Sequence, residues 1–320
     1  MTDLPICAIL DDYQDAAFAS ADWSVLDGRV SLRRYETHLG DEDAVAQALA
    51  DCAVIVAMRE RTPFPASLLQ RLPRLKLLVT TGMRNRSIDL QAAADLGVTI
   101  CGTGAAGNPA AELAWGGLLA FMRQLPEEVA NFRAGGPWQT GLGRSLQHKR
   151  LGIVGLGKLG RQMARFGQAF GMEVCGWTRT DLAARAEKLE IEPVDLPGLF
   201  ASSDVITIQL SLVDGTRGLV SAELLGRMRP DAVLVNTSRG PIVDEAALIA
   251  ALEGRRIGGA VLDVFDQEPL PADHAYRRLT NVLATPHIGY VTQENYRVYY
   301  REAVENVANW LEGRVLRALT

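Results

Sequence analysis

The chain has 320 residues; its 48% hydrophobic and 22% charged content describe an ordinary globular protein long enough for two domains. A net charge of −5 gives no reason to expect nucleic acid or an anionic membrane as partner, no apolar run reaches the length that crosses a bilayer, and the start MTDLPICAILDD lacks a basic region followed by a signal-peptide core. Four scattered cysteines, Cys7, Cys52, Cys101 and Cys175, form no CxxC pair and read as reduced thiols of a cytoplasmic protein, without metal or catalytic roles.

Strand and helix signals alternate from the N-terminus. Ile6 to Leu10 is a short apolar run, and Glu42 to Ala50 carries helical spacing after the cap residue Asp41. Ala53 to Met58 is a strand, Pro65 to Leu72 a helix, Leu75 to Thr80 a strand, Ile88 to Leu96 a helix closed by Gly97, and Val98 to Cys101 a strand. Continuous apolar strands alternating with helices predict a parallel sheet covered on both faces. Cys101 to Pro109, rich in Gly, Ala and Asn, reads as a crossing between domains, followed by a long helix from Ala110 to about Leu125 that breaks at Pro126. Later strands are expected at Val205 to Leu210, Ala232 to Asn236, Gly259 to Val264 and Val282 to Ala284, with a final helix from Gln293 to Leu311.

Between these halves lies Gly155-Leu156-Gly157-Lys158-Leu159-Gly160. It follows the apolar run Leu151 to Val154, opens a helical segment from Gln162 to Phe170, and is followed by a second strand, Met172 to Trp177. In that setting GxGxxG signifies dinucleotide binding: the first glycine makes the tight turn, the second lets backbone approach a pyrophosphate, and the third lets helix and strand pack closely. About 150 residues precede the motif, so the nucleotide domain is predicted to be inserted into another domain.

Three successive strand tips then carry reactive side chains. Asn236-Thr237-Ser238-Arg239-Gly240-Pro241 presents an arginine, Leu262-Asp263-Val264-Phe265-Asp266-Gln267-Glu268-Pro269 presents carboxylates, and Thr285-Pro286-His287-Ile288-Gly289 presents a histidine. In an open α/β sheet such tips face the ligand crevice. An arginine can grip a substrate carboxylate bidentately and polarise the adjacent carbonyl, a histidine can protonate a developing alkoxide, and a carboxylate can orient that histidine and hold it protonated. The set suits hydride transfer from a nicotinamide to a carbonyl. His148 and His274, in polar loops, read as solvated.

These motifs, with TTGMRNRSIDL and GNPAAELAW in the N-terminal half, resemble the D-isomer-specific 2-hydroxyacid dehydrogenases, and the resemblance spans nearly the whole chain. It implies Arg239, Glu268 and His287 as catalytic residues. It also implies an α/β protein of two doubly wound parallel-sheet domains: a flavodoxin-like substrate domain from residues 1–102 and 290–320, an inserted Rossmann cofactor domain from 103–289, and an active-site cleft. A homodimer through the cofactor domain is implied as well. Cofactor contacts are expected from Gly155, Gly157, Lys158, Leu159, Gly160, Thr178, Arg179, Thr180, Thr237 and Asp263, and substrate contacts from Gly82, Met83, Arg84 and Arg239. Departures from the family pattern are Arg84 where glycine is usual, which adds a second cationic grip or narrows the pocket; Ser211 where proline is common; and Asp266 as a carboxylate competing with Glu268.

The expected activity is reduction of a small 2-oxo acid of the glyoxylate or hydroxypyruvate kind. A phosphoglycerate-type biosynthetic dehydrogenase and a nucleotide-sensing, corepressor-like binding protein are the alternatives. Only one helix follows TPHIGY, so no extra regulatory domain is expected. NAD binding asks for Asp or Glu about 20 residues after the glycine turn. Thr178 stands there instead, followed by Arg179 and Thr180, which can receive a 2′-phosphate. NADP(H) is therefore expected to be preferred, with NAD(H) also accepted.

Overall fold

A computed structural model describes residues 4–319. The chain divides into two compact units, one made of residues up to Gly107 together with Val291 onward, the other spanning Asn108–Tyr290. The first crossing thus falls five residues beyond the expected 102/103 boundary. The reason is that residues 102–106 are tied to the last helix, Gln293–Trp310. Glu302 accepts from the Gly104 amide at 2.7 Å, Asn295 from the Ala106 amide at 2.7 Å, and Asn306 donates to the Gly102 carbonyl at 2.8 Å.

The first unit holds five parallel strands, β1 (Ile6–Ile9), β2 (Ser31–Arg34), β3 (Cys52–Ala57), β4 (Leu77–Thr80) and β5 (Thr99–Cys101), in the order β2-β1-β3-β4-β5. This is the flavodoxin-like order. Apart from β2, the strands read directly from the sequence because both faces are covered and nearly every residue is apolar. Ser-Leu-Arg-Arg of β2 escapes that signal because it is an edge strand facing water. Its Arg33 forms a two-pronged pair with Asp51, both contacts 2.9 Å.

The second unit holds seven parallel strands: β6 (Arg150–Val154), β7 (Glu173–Trp177), β8 (Glu192–Pro193), β9 (Val205–Ile208), β10 (Val233–Asn236), β11 (Gly259–Leu262) and β12 (Val282–Ala284). Their order is β12-β11-β10-β9-β6-β7-β8, the doubly wound arrangement with its reversal between β6 and β9. The strands alternate between two cores. Leu151, Ile153, Val205, Val233, Val235 and Val261 fill one face, and Val154, Ile206, Ile208, Leu234, Ala260 and Leu262 fill the other. β8 was not expected: two exposed residues including a proline give no apolar signal, and proline is tolerated because the strand is an edge.

The long helix expected from Ala110 is Pro109–Met122. Pro126 does not end the helical region. It sits in the first turn of a second helix, Leu125–Arg133, where a missing amide costs nothing, and the break falls at Gln124 with φ 52°. All four cysteines lie on strands and are buried. Burial pushes the Cys7 thiol up to about 12 and Cys52 and Cys101 to about 11, which keeps them protonated and unreactive at neutral pH.

The glycine turn shows three separate constraints. Gly155 has φ 109°, and a Cβ there would lie 2.5 Å from the Gln209 carbonyl oxygen. Gly160, inside the helix Lys158–Ala169, would put a Cβ 1.9 Å from the Gly155 carbonyl oxygen. Gly157 faces open space. Gly160→Ala should therefore cost about 1–3 kcal/mol of stability through backbone overpacking, whereas Gly157→Ala should stay within about 1 kcal/mol. Denaturant midpoints of the two variants test this, and equal losses would refute the assignment.

Candidate active site

At the tip of β10, Asn236 closes a turn on itself. Its Oδ1 accepts from the Ser238 amide at 3.1 Å and its Nδ2 donates to the Arg239 carbonyl at 3.0 Å. Ser238 Oγ donates to the Ile208 carbonyl at 2.7 Å, fastening the turn to the neighbouring strand. Gly240 then meets the next loop backbone to backbone. A Cβ there would lie 2.2 Å from the Phe265 carbonyl carbon and 2.6 Å from the Asp266 nitrogen. The Arg239 loop and the loop carrying Glu268 are therefore locked together. Asn236 was not singled out from sequence; an Asn two residues before a serine at a strand end is the signal that could have marked it.

Asp263, at the tip of β11, is 1% exposed. Its Oδ1 accepts from Thr285 Oγ1 at 2.6 Å and the Ile288 amide at 2.8 Å, and its Oδ2 accepts from the Gly289 amide at 2.7 Å. Burial raises its carboxyl above the ordinary carboxylate range, and the three hydrogen bonds oppose that rise. The carboxylate thus braces the loop bearing His287, a role additional to the cofactor contact expected of it. Among the described residues Oδ2 accepts one donor, the Gly289 amide, which leaves lone-pair capacity for another.

His287 has φ 52°, a left-handed conformation rarely adopted outside glycine, asparagine and aspartate. Such strain persists where the surroundings enforce it; here Asp263 holds the amides on the C-terminal side and the Thr285 carbonyl accepts from the His287 amide at 2.9 Å. The result points Nδ1 at Glu268 Oε2, 2.5 Å away. Glu268 Oε1 accepts from the Phe265 amide at 2.9 Å, so the carboxylate is itself anchored. With Nδ1 committed to the carboxylate, Nε2 is the nitrogen left to exchange a proton. The Tyr290 ring stands edge-on to the imidazole at 5.6 Å. Asp266, the competing carboxylate, instead lines a small cavity with Glu245 and Tyr276; burial, then Glu245, raise its carboxyl. His274 is not simply solvated: it lies 3.6 Å from Glu245, and its Nδ1 accepts from the Tyr276 amide at 3.3 Å.

On the cofactor side, Gly157 opens onto space a backbone-hugging pyrophosphate would need. Thr237 Oγ1 is buried and has no hydrogen-bond partner among the described residues. Arg179 follows β7, is exposed, and has no ion pair among the described residues; its Nη1 lies over Gly215, 2.9 Å from where a Cβ would sit. These features fit a dinucleotide. No cluster of His, Cys, Asp and Glu suited to a metal ion occurs among the described residues, and no helix among them is long and apolar enough to cross a membrane.

In the N-terminal unit, the loop Thr81-Gly82-Met83-Arg84-Asn85 follows β4. The Gly82 amide is not free: it donates to Thr103 Oγ1 at 2.8 Å. The Met83 and Arg84 amides have no acceptor among the described residues.

Residues 115–289 match the family described as D-isomer specific 2-hydroxyacid dehydrogenase, NAD binding domain. The chain is 35% identical to a glyoxylate reductase of Aeropyrum pernix over 257 residues, covering 78% of this chain and 77% of that one. It is 34% identical to a hydroxypyruvate reductase of Thermotoga maritima over 273 residues, 83% of this chain and 87% of that one. A crystal structure of a phosphoglycerate oxidoreductase from Vibrio cholerae superposes with a TM-score of 0.92 at 35% identity, covering 97% of this chain and all of that one (100%). On this fold and these matches, the chain belongs to the D-isomer-specific 2-hydroxyacid dehydrogenases and is an oxidoreductase with a domain built to bind a nicotinamide dinucleotide.

Proposed function

We propose that the enzyme reduces a small 2-oxo acid of the glyoxylate or hydroxypyruvate kind to the D-2-hydroxy acid, preferring NADPH to NADH. The observation that carries the reaction is the 2.5 Å contact between His287 Nδ1 and Glu268 Oε2, which follow the two strands next to the one that ends in the Arg239 turn. Arg239 binds the substrate carboxylate through its planar fork and draws electron density from the carbonyl. His287 Nε2 gives a proton to the carbonyl oxygen as negative charge develops there, and Glu268 balances the imidazolium. When bound, the reduced nicotinamide supplies the hydride. Gly155, Gly157, Lys158, Leu159 and Gly160 receive the pyrophosphate, Thr237 and Asp263 also contact the cofactor, and Gly82, Met83 and Arg84 contribute to substrate binding.

Glu268→Gln keeps the shape and one acceptor but removes the negative charge. Loss of a charge-assisted hydrogen bond worth about 1.5–3 kcal/mol should lower kcat for reduction roughly ten- to a hundredfold, with KM for the 2-oxo acid little changed. An unaltered kcat would remove Glu268 from the proton transfer.

The cofactor preference follows from Thr178, Arg179 and Thr180, where no carboxylate repels a 2′-phosphate and the guanidinium is available to pair with it. NADPH should exceed NADH by roughly ten- to a hundredfold in kcat/KM, and Arg179→Ala should erase most of the difference while sparing NADH activity. Equal or better kcat/KM with NADH in the unmodified enzyme would overturn it. The reading also includes a cytoplasmic homodimer. Phe132, Trp138 and Leu142 are 69%, 82% and 93% exposed, apolar surface that a second copy would cover. Sedimentation should give twice the monomer mass, and a monomer at micromolar concentration would reject it.

A further inference from the structure

In the second unit, one face of the sheet changes character at the strand tips. Thr207 of β9 pairs with Ile153 on one side and Val235 on the other, and Val235 pairs with Val261. Ile153, Val235 and Val261 are buried in one core. The ladder runs on past the strands: the Gln209 amide donates to the Val154 carbonyl at 2.8 Å and the Asp263 amide to the Asn236 carbonyl at 3.0 Å. Side chains two residues apart share a face, so Gly155, Gln209, Thr237 and Asp263 form a polar row at the edge of an apolar surface.

Within that row Gln209 and Thr237 are 8% and 7% exposed. Gln209 folds back along its own strand, where Nε2 donates to Thr207 Oγ1 at 2.9 Å. A fully buried hydroxyl set between an isoleucine and a valine thereby gains its partner. The other end of the amide, Oε1, is buried with no hydrogen-bond partner among the described residues, and so is Thr237 Oγ1 on the neighbouring strand. The backbone leaves Gln209 no room to correct this, since its carbonyl oxygen lies 2.5 Å from where a Cβ on Gly155 would sit. A buried acceptor left unpaired lowers stability. Two unpaired oxygens on adjacent strands of one face suit a ligand with two adjacent hydroxyls.

The order of the tips says which part of a dinucleotide meets them. The glycine turn, which suits a pyrophosphate, follows β6, and Arg239, Glu268 and His287 follow β10, β11 and β12. β9 stands between β6 and β10, with strands about 4.8 Å apart. The group that joins the pyrophosphate to the nicotinamide is a ribose, and its vicinal hydroxyls both donate and accept. We propose that Gln209 is a cofactor-positioning residue whose Oε1 accepts a hydrogen bond from the nicotinamide-side ribose, beside Thr237 Oγ1, and that the unliganded enzyme is less stable for keeping this amide oxygen unpaired. The proposal rests on the dinucleotide binding inferred above and adds a side chain to it.

Thr207→Val combined with Gln209→Met replaces both hydrogen-bonding partners by apolar groups of similar size. The Tm of the unliganded variant should hold or rise by about 2–4 °C. Calorimetry then compares ADP-ribose, which carries the second ribose, with ADP, which lacks it, each with and without a 2′-phosphate. The double variant should bind ADP-ribose roughly tenfold more weakly and ADP as before. Thr237→Val, a change that removes only the neighbouring hydroxyl, should show the same selective loss and serves as the independent variant if the double one does not fold. Equal effects on the two nucleotides, or none on either, overturn the proposal and leave the dinucleotide reading intact. A lower Tm with ADP-ribose binding retained marks the amide as structural and overturns it too. If neither nucleotide binds the unmodified enzyme, the dinucleotide reading fails as well.

Discussion

The constraint on which the second unit depends is a single unbroken register. Trp177 pairs with Val154, Val154 with Ile208, Ile208 with Asn236, Asn236 with Leu262, and Leu262 with Ala284. Six strands therefore end in one row. The glycine turn, the Thr178–Thr180 segment, the Arg239 turn, Asp263 with Glu268, and His287 all occur within a few residues beyond that row. A slip of one residue in any strand would exchange the two cores and turn that strand's tip to the wrong side of the sheet. Apolar burial on both faces thus fixes the chemistry, although none of the core residues takes part in it.

Beyond the row, polar groups finish the placement. A buried aspartate is costly unless it is satisfied, and Asp263 is satisfied by the loop that must be held in an unfavourable conformation at His287. The same three hydrogen bonds offset both the desolvation cost of the aspartate and the strain at the histidine. Gly240 plays the complementary steric part. With no side chain there, the β10 and β11 loops touch through their backbones, and Arg239 keeps a fixed distance from the segment that supplies Glu268.

The fold was legible wherever strands are buried on both faces, since Val and Ile runs bounded by turns admit few other readings. It was illegible at β2 and β8, which are edges and need no apolar residues. Pro126 misled because proline marks a helix start as readily as an end, and only Gln124 in a left-handed turn shows which applies. The order Arg, acid, His along the chain could be read as one edge because parallel strands carry all their carboxyl ends to the same side. Between Asp266 and Glu268 as the partner of His287, the spacing is silent and only the family resemblance points to Glu268, since the contact depends on how the loop folds back to present Glu268 to the Phe265 amide. Likewise, Gly82 is expected from sequence among the substrate contacts, yet Thr103, twenty-one residues away, takes its amide.

The strand order has a consequence for how such an enzyme can change. Arg179 stands at the tip of β7, and Arg239 at the tip of β10, with β6 and β9 between them. Three strand spacings amount to roughly 14 Å, beyond the range at which substitutions couple through shared neighbours. Substitutions at the tip of β7 can therefore accumulate without disturbing the His287–Glu268 pair, and the two ends of the row can be inherited, lost or engineered as independent modules of one sheet.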